Sequence, residues 1–232
     1  MRTALHYYVT LLPSLQYEQS DEVSYVLNIT RLPDSCQNSP QLYELMDSQF
    51  HINLSLAFYE ITVYAKNKAG PSPSSSTLVP LLSAPELEGK LFATVQDGNI
   101  LLTWSPRFQC DFFIVNWGTN SSKMETKTFM EKMENVTLTG DFENMKKYTI
   151  MIHLYPEYCE CDEFTNENTF GITYNYAEES VPIAAPGSIV IKNITKESAH
   201  ISWEEIQEEN CLGFLVGYVI HYKDILQNTT LY

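Results

Sequence analysis

The chain has 232 residues, 44% of them hydrophobic, and a formal net charge of −15. Its 14 Lys and Arg against 29 Asp and Glu argue against a nucleic-acid surface, which needs clustered cations to neutralise phosphate. No apolar run approaches the roughly 18 residues of a membrane span, and the acidity reads as a solvated surface.

Taken in chain order, the elements are strands. Tyr7, Val9 and Leu11 alternate with polar or smaller neighbours, the two-residue period of a half-buried strand. Met1-Arg2 followed by Ala4 to Leu15 has the rough outline of a secretion leader. His6, Tyr7, Tyr8 and Pro13 interrupt its apolar region and no small-residue cleavage site follows, so a strand is the better reading. Tyr59, Ile61, Val63 and Ala65 form a second alternating strand, closed by Asn67, Gly70 and the turn at Pro71-Ser72-Pro73. Ile100 to Trp104 follows, then Phe113, Val115 and Trp117. Lys123 to Asn135 fits either a short helix or an edge strand, because Met124, Phe129, Met130 and Met133 satisfy both periods. Tyr148, Ile150, Ile152 and Leu154 repeat the Tyr59 strand, Ala199 to Trp203 repeats the Ile100 strand, and Tyr218, Ile220 and Tyr222 alternate again.

The strands recur at about a hundred residues. The Tyr7, Phe113 and Tyr218 triples lie about 105 apart, Trp104 and Trp203 are 99 apart, and Ala84-Pro85 and Ala185-Pro186 are 101 apart. That period suits one β-sandwich per repeat. The phase predicts an all-β chain of one complete module, 83–182, flanked by partial modules at 1–82 and 183–232. The first would begin at its third strand, the Tyr7 strand, and the last would end after its third. The complete module is expected to fold alone. The joints Pro80 to Pro85 and Val181 to Gly187 are short and proline-bearing, and read as stiff connectors.

A Tyr opening the Tyr59 strand and a Gly closing it resemble strand F and the F–G turn of a fibronectin type III module. In such sandwiches an early strand-F Tyr anchors the neighbouring corner through its hydroxyl. The expected fold is tandem fibronectin type III β-sandwiches, with Tyr59, Trp104, Trp117, Tyr148, Trp203 and Tyr218 in their cores. A finer resemblance rests on Gly98 to Trp104, Cys110 to Trp117, Ala184-Ala185-Pro186, Ile201 to Ile206 and Gly213 to Tyr218. These resemble the membrane-proximal fibronectin type III modules of class I cytokine receptors, in the branch that binds leukaemia inhibitory factor and oncostatin M. Two departures stand out. Gly118 to Ser122 lacks the further cysteines usual after the strand-C Trp, and the Trp-Ser-x-Trp-Ser motif of cytokine-binding modules is absent.

Six Asn-x-Ser/Thr sequons occur, at Asn28, Asn53, Asn120, Asn135, Asn193 and Asn228, and favour a secreted or cell-surface protein. There are five cysteines. Cys110 precedes strand C of the complete module and Cys159 follows strand F. The two ends are adjacent in one sheet of this sandwich, so Cys110 and Cys159 can pair. Such a bridge would stabilise the module by roughly 4 kcal/mol on loop-closure grounds. Cys161 is an alternative partner and free thiols are another; Cys36 and Cys211 have no assigned partner.

No catalytic elbow, phosphate loop or zinc helix is present. His6, His153, His200 and His221 read as outward-facing strand residues, and His153 with Cys159 and Cys161 lacks zinc-knuckle spacing. No cofactor, metal, catalytic residue or small-molecule ligand is implied. The resemblance implies a non-enzymatic extracellular stalk at the cell surface. It would space ligand-binding modules from a membrane-spanning helix outside these residues, and its partners, a cytokine and a second receptor subunit, would be met through the full-length receptor. The alternative is a fibronectin type III segment of an adhesion or matrix protein.

Overall fold

The computed structural model describes residues 5–11, 23–32, 41–79, 86–119, 124–155, 166–224 and 229–231. They form β-strands with one short helix, and most of the strands are arranged as β-sandwiches.

In the first module the strands are β1 (Leu5–Thr10), β2 (Ser24–Leu32), β3 (Gln41–Leu45), β4 (Gln49–Leu54), β5 (Phe58–Asn67), β6 (Gly70–Pro71) and β7 (Ser75–Leu78). β1 pairs with β4, while β2 lies between β3 and β5, and β5 also pairs with β6 and β7. Leu27 and Ile29 of β2, Ile52 and Leu54 of β4, and Tyr59 and Ile61 of β5 make the core between the two sheets.

The middle module runs β8 (Lys90–Gln96), β9 (Asn99–Ser105), β10 (Phe112–Gly118), β11 (Met124–Met130), β12 (Asn135–Leu138), β13 (Lys147–Leu154) and β14 (Asn168–Tyr176). One sheet has the order β12-β9-β8 and the other β11-β10-β13-β14. Ile100, Leu102 and Trp104 face Phe113, Val115, Trp117, Tyr148, Ile150 and Ile152 in one buried cluster. Each large apolar side chain so buried is worth roughly 1.5–3 kcal/mol. The sandwich closes on one side where the Gly89 amide donates to the Phe170 carbonyl at 2.7 Å. A Cβ on Gly171 would sit 2.7 Å from the Gly89 carbonyl oxygen, so this approach requires glycine. Met124–Met130 is a strand at the sheet edge, which decides between the two readings of that segment.

The pairing corrects the start of the first module. β1 pairs with β4 as β9 pairs with β12, and β2 sits between its neighbours as β10 does. The Tyr7 strand is therefore the counterpart of the second strand, and Ser24–Leu32 is the third. Alternation shows that a strand is half-buried but not which sheet it joins. The matching positions are Leu27 with Val115 and Ile29 with Trp117, 88 residues apart, in step with Tyr59 and Tyr148 at 89.

The chain divides into two compact units. One is 1–142 with 147–177; the other is 143–146 with 178–232. The first and middle modules thus share a unit, where the sequence suggested a self-contained middle module. In the second unit, β15 (Gly187–Lys192) pairs with β16 (His200–Glu204), followed by α1 (Glu208–Cys211) and the pair β17 (Tyr222–Asp224) and β18 (Thr229–Leu231). Of the expected Tyr218–Tyr222 strand, only Tyr222 is in β17. Trp203 and Tyr218 are half-buried, with ring centroids 5.3 Å apart, and the Ile206 amide donates to the Tyr218 hydroxyl. In this unit Glu178 to Ile183 is tied down by backbone bonds, Ser180 N–H to Leu212 O and Ile183 N–H to Asn210 O. The first joint, 80–85, lies outside the described residues.

Candidate functional site

The feature that sets this chain apart is a strand with no solvent-facing side. Every residue of β10 is buried. Phe113, Val115 and Trp117 face the sandwich core. Phe112 and Ile114, on the opposite face, pack with Tyr155 in a separate cluster. On the same outer face, Asn116, Met151, His153 and Thr169 are also buried. An outer sheet face this dry needs a cover, and part of it is the end of the first module.

That end is built from two strand termini. Leu27, Ile29 and Arg31 share one face of β2 by the period of two. Arg31 therefore lies at the foot of the first core, directly opposite Tyr59 in the β2–β5 register. The turn between β4 and β5 carries Ser55, Leu56 and Ala57, all buried.

Glu167, 1% exposed, reaches this end from the residue before β14. Its Oε2 accepts from Arg31 Nε at 2.7 Å and from the Tyr155 hydroxyl at 2.9 Å, and its Oε1 accepts from the Ser55 hydroxyl at 2.6 Å. Since the single Ser55 hydroxyl proton goes to Glu167, the Tyr59 hydroxyl, 2.9 Å away, donates to Ser55 Oγ. Tyr59 thus anchors the corner through its hydroxyl. Arg31 Nη2 donates to Asn116 Oδ1 at 2.8 Å, and the Leu56 amide donates to Thr169 Oγ1 at 2.7 Å. Thr169 Oγ1 lies 3.2 Å from His153 Nδ1, which is 3.3 Å from Glu167 Oε1.

The charges follow from burial and mutual contact. Burial, the largest single effect, would raise the Glu167 pKa, but the Arg31 charge, His153 and the hydrogen bonds from Ser55 and Arg31 together hold the carboxyl below its ordinary range. Burial alone would lower Arg31, and Glu167, with Tyr59 and Tyr155 adding to it, turns that into a net rise. Tyr59 and Tyr155 are both pushed up, first by burial and then by the Glu167 charge. His153 is pushed down to about 4, chiefly by burial, with Arg31 adding to it and Glu167 opposing it. The result is a closed ion pair with its hydrogen bonds made, an anchor between modules. His153 faces away from the sandwich core, as its strand alternation suggested, but that face is covered and the ring is buried.

The other sequence-derived residues are placed as follows. Tyr59, Trp104, Trp117 and Tyr148 are buried. Asn53, Asn135 and Asn193 are exposed. Asn28 is within β2, and its Oδ1 is buried with no hydrogen-bond partner among the described residues. Asn120 and Asn228 lie outside the described residues, as do Cys36, Cys159 and Cys161. Cys110 is disulfide-bonded and Cys211 is a buried free thiol. Among the described residues no helix is long and apolar enough to cross a membrane.

The arrangement is one of tandem β-sandwich modules, and sequence comparison shows what the chain is similar to. No protein-family model matches the chain. Its relatives are class I cytokine receptors. It is 29% identical to the leukemia inhibitory factor receptor of Canis lupus familiaris over 198 residues, 81% of this chain and 17% of that protein. It is 24% identical to the oncostatin-M-specific receptor subunit beta of Rattus norvegicus over 180 residues, 75% of this chain and 18% of that protein. It is 23% identical to the human interleukin-6 receptor subunit beta over 217 residues, 90% of this chain and 22% of that protein. The chain therefore spans about a fifth of the length of the relatives it matches.

Proposed function

We propose that this chain is an extracellular stalk segment of a cytokine-receptor signalling subunit of the leukemia inhibitory factor receptor kind. It holds ligand-binding modules at a set geometry relative to the membrane. The cytokine and a second receptor subunit are its partners through the whole receptor, at the cell surface, with the membrane-spanning helix outside these residues. The observation that carries this reading is the buried Arg31–Glu167 pair, which ties the first module to a sheet face of the middle one. A flexible tether has no need of such an anchor. The bonds from Ser180 and Ile183 to the Asn210–Leu212 segment support a stiff, rather than loose, chain at Val181 to Gly187.

The test has two arms. Residues 1–232 alone should show no measurable cytokine binding by surface plasmon resonance. In the full receptor, replacing Val181 to Gly187 with a Gly/Ser stretch should weaken reporter signalling and leave ligand binding near normal. Tight binding by the segment, or full signalling through the loosened joint, would refute the stalk reading.

The division 1–82, 83–182 and 183–232 is retained as a proposal for the sandwich repeats, and glycans are proposed at the sequons, Asn135 and Asn193 being exposed. We also propose that Cys110 pairs with Cys159. β10 and β13 run antiparallel with Phe113 opposite Leu154, and the two cysteines lie a few residues beyond those positions. Peptide mapping of non-reduced secreted protein should recover a Cys110–Cys159 peptide; a Cys110–Cys161 or Cys110–Cys36 peptide would reassign the bridge.

A further inference from the structure

The imidazole of His153 is fully buried, one hydrogen bond from the contact between modules. Thr169 Oγ1 takes the Leu56 amide from the first module and meets His153 Nδ1 on its other side. The second ring nitrogen, Nε2, is buried with no hydrogen-bond partner among the described residues. A neutral ring can leave one nitrogen bare, but a protonated ring carries two N–H donors and here has an acceptor for one. It also adds a positive charge to a pocket that already holds the buried Arg31 guanidinium. The ionisable groups of this network are Glu167 before β14, Arg31 on β2, Tyr59 on β5 and Tyr155 after β13. Glu167 alone favours the charged ring, and its oxygens already accept from Arg31, Tyr155 and Ser55.

We propose that the joint is acid-weakened, and that protonation of His153 releases the end of the first module from the outer face of β10 and β13. Separation gives the ring water and the acceptor it lacks. The sign is fixed by linkage: a histidine with a lower pKa in the closed state than in the open one favours closure at high pH, and that advantage drains away as pH falls through the open-state value. With about 4 in the closed joint and the ordinary 6.5 or so when solvated, the closed state loses roughly 25-fold between pH 7.4 and 5.0. Glu167 stays ionised across that window and adds little; its own contribution is lost only at lower pH.

Hydrogen exchange on residues 1–232 reads this directly, because the Leu56 amide bonds across the joint. Its protection factor should fall on the order of 20-fold from pH 7.4 to 5.0, while the β9–β12 ladder amides keep theirs. In His153→Gln the Leu56 change should shrink below about 3-fold. Unchanged Leu56 protection in the parent, an equal fall in the β9–β12 ladder, or the same pH dependence in His153→Gln would each overturn the proposal. Should that variant not fold, nuclear magnetic resonance titration of the parent replaces it. Protonation of His153 must then track loss of Leu56 protection, and a ring that titrates near 6.5 in the closed joint defeats the idea.

Discussion

Glu167→Ala should destabilise residues 1–232 by about 3–5 kcal/mol, the usual cost of leaving one partner of a buried ion pair alone. Arg31 is 6% exposed and would keep its charge and its bond to Asn116 Oδ1 while losing the Glu167 carboxylate. The Ser55 and Tyr155 hydroxyls would also lose their bonds to the Glu167 carboxylate. Urea unfolding at neutral pH, followed by Trp fluorescence, measures the loss. Adding Arg31→Met should recover at least half of it, because the buried charge that faced Glu167 is then gone while the hydroxyl bonds to Glu167 stay lost. A single-variant loss under about 1 kcal/mol would mean that the pair is not a buried anchor. No recovery in the double variant would place the cost elsewhere than in the Arg31 charge.

Trp104→Ala should cost a comparable loss of about 3–5 kcal/mol, the range for truncating a buried aromatic. The indole is 7% exposed, lies parallel to Phe108 with centroids 5.2 Å apart, and meets the edge of Phe113 at 5.6 Å. Removing it opens a void bounded by two other rings that share contacts with Phe170 and Phe129, so the site cannot collapse without moving both. Trp104→Phe should retain more than half of the stability. A loss under about 1 kcal/mol for the alanine variant would remove Trp104 from the core.

The middle module's inner core is readable because its strands alternate: Ile100, Leu102 and Trp104 on one sheet, Phe113, Val115 and Trp117 on the other. The same rule misplaces the first module, since Tyr7 and Val9 alternate as well as Leu27 and Ile29 do, and nothing in a period of two says which pair belongs to the third strand. The joint leaves two signals in the sequence that alternation alone does not register. Phe112-Phe113-Ile114-Val115 is a continuous apolar run, the mark of a strand covered on both faces. Arg31 continues the inward series Leu27, Ile29, a cation in a core position that calls for a buried anion. Glu167 carries no such mark. It stands among polar residues 112 positions from Ser55 in sequence, and only the folded chain brings them together.

Fibronectin type III arrays are ordinarily treated as interchangeable beads, cut and rejoined at their linkers. The buried bonds from Arg31, Ser55 and Leu56 to the middle sandwich argue against that here. A hybrid chain that carried the middle sandwich without the first would leave Glu167, Asn116 and Thr169 without Arg31, Ser55 and the Leu56 amide. The heritable unit on which recombination can act without repair is the pair of sandwiches together, and an engineered graft should carry both or rebuild the face between them.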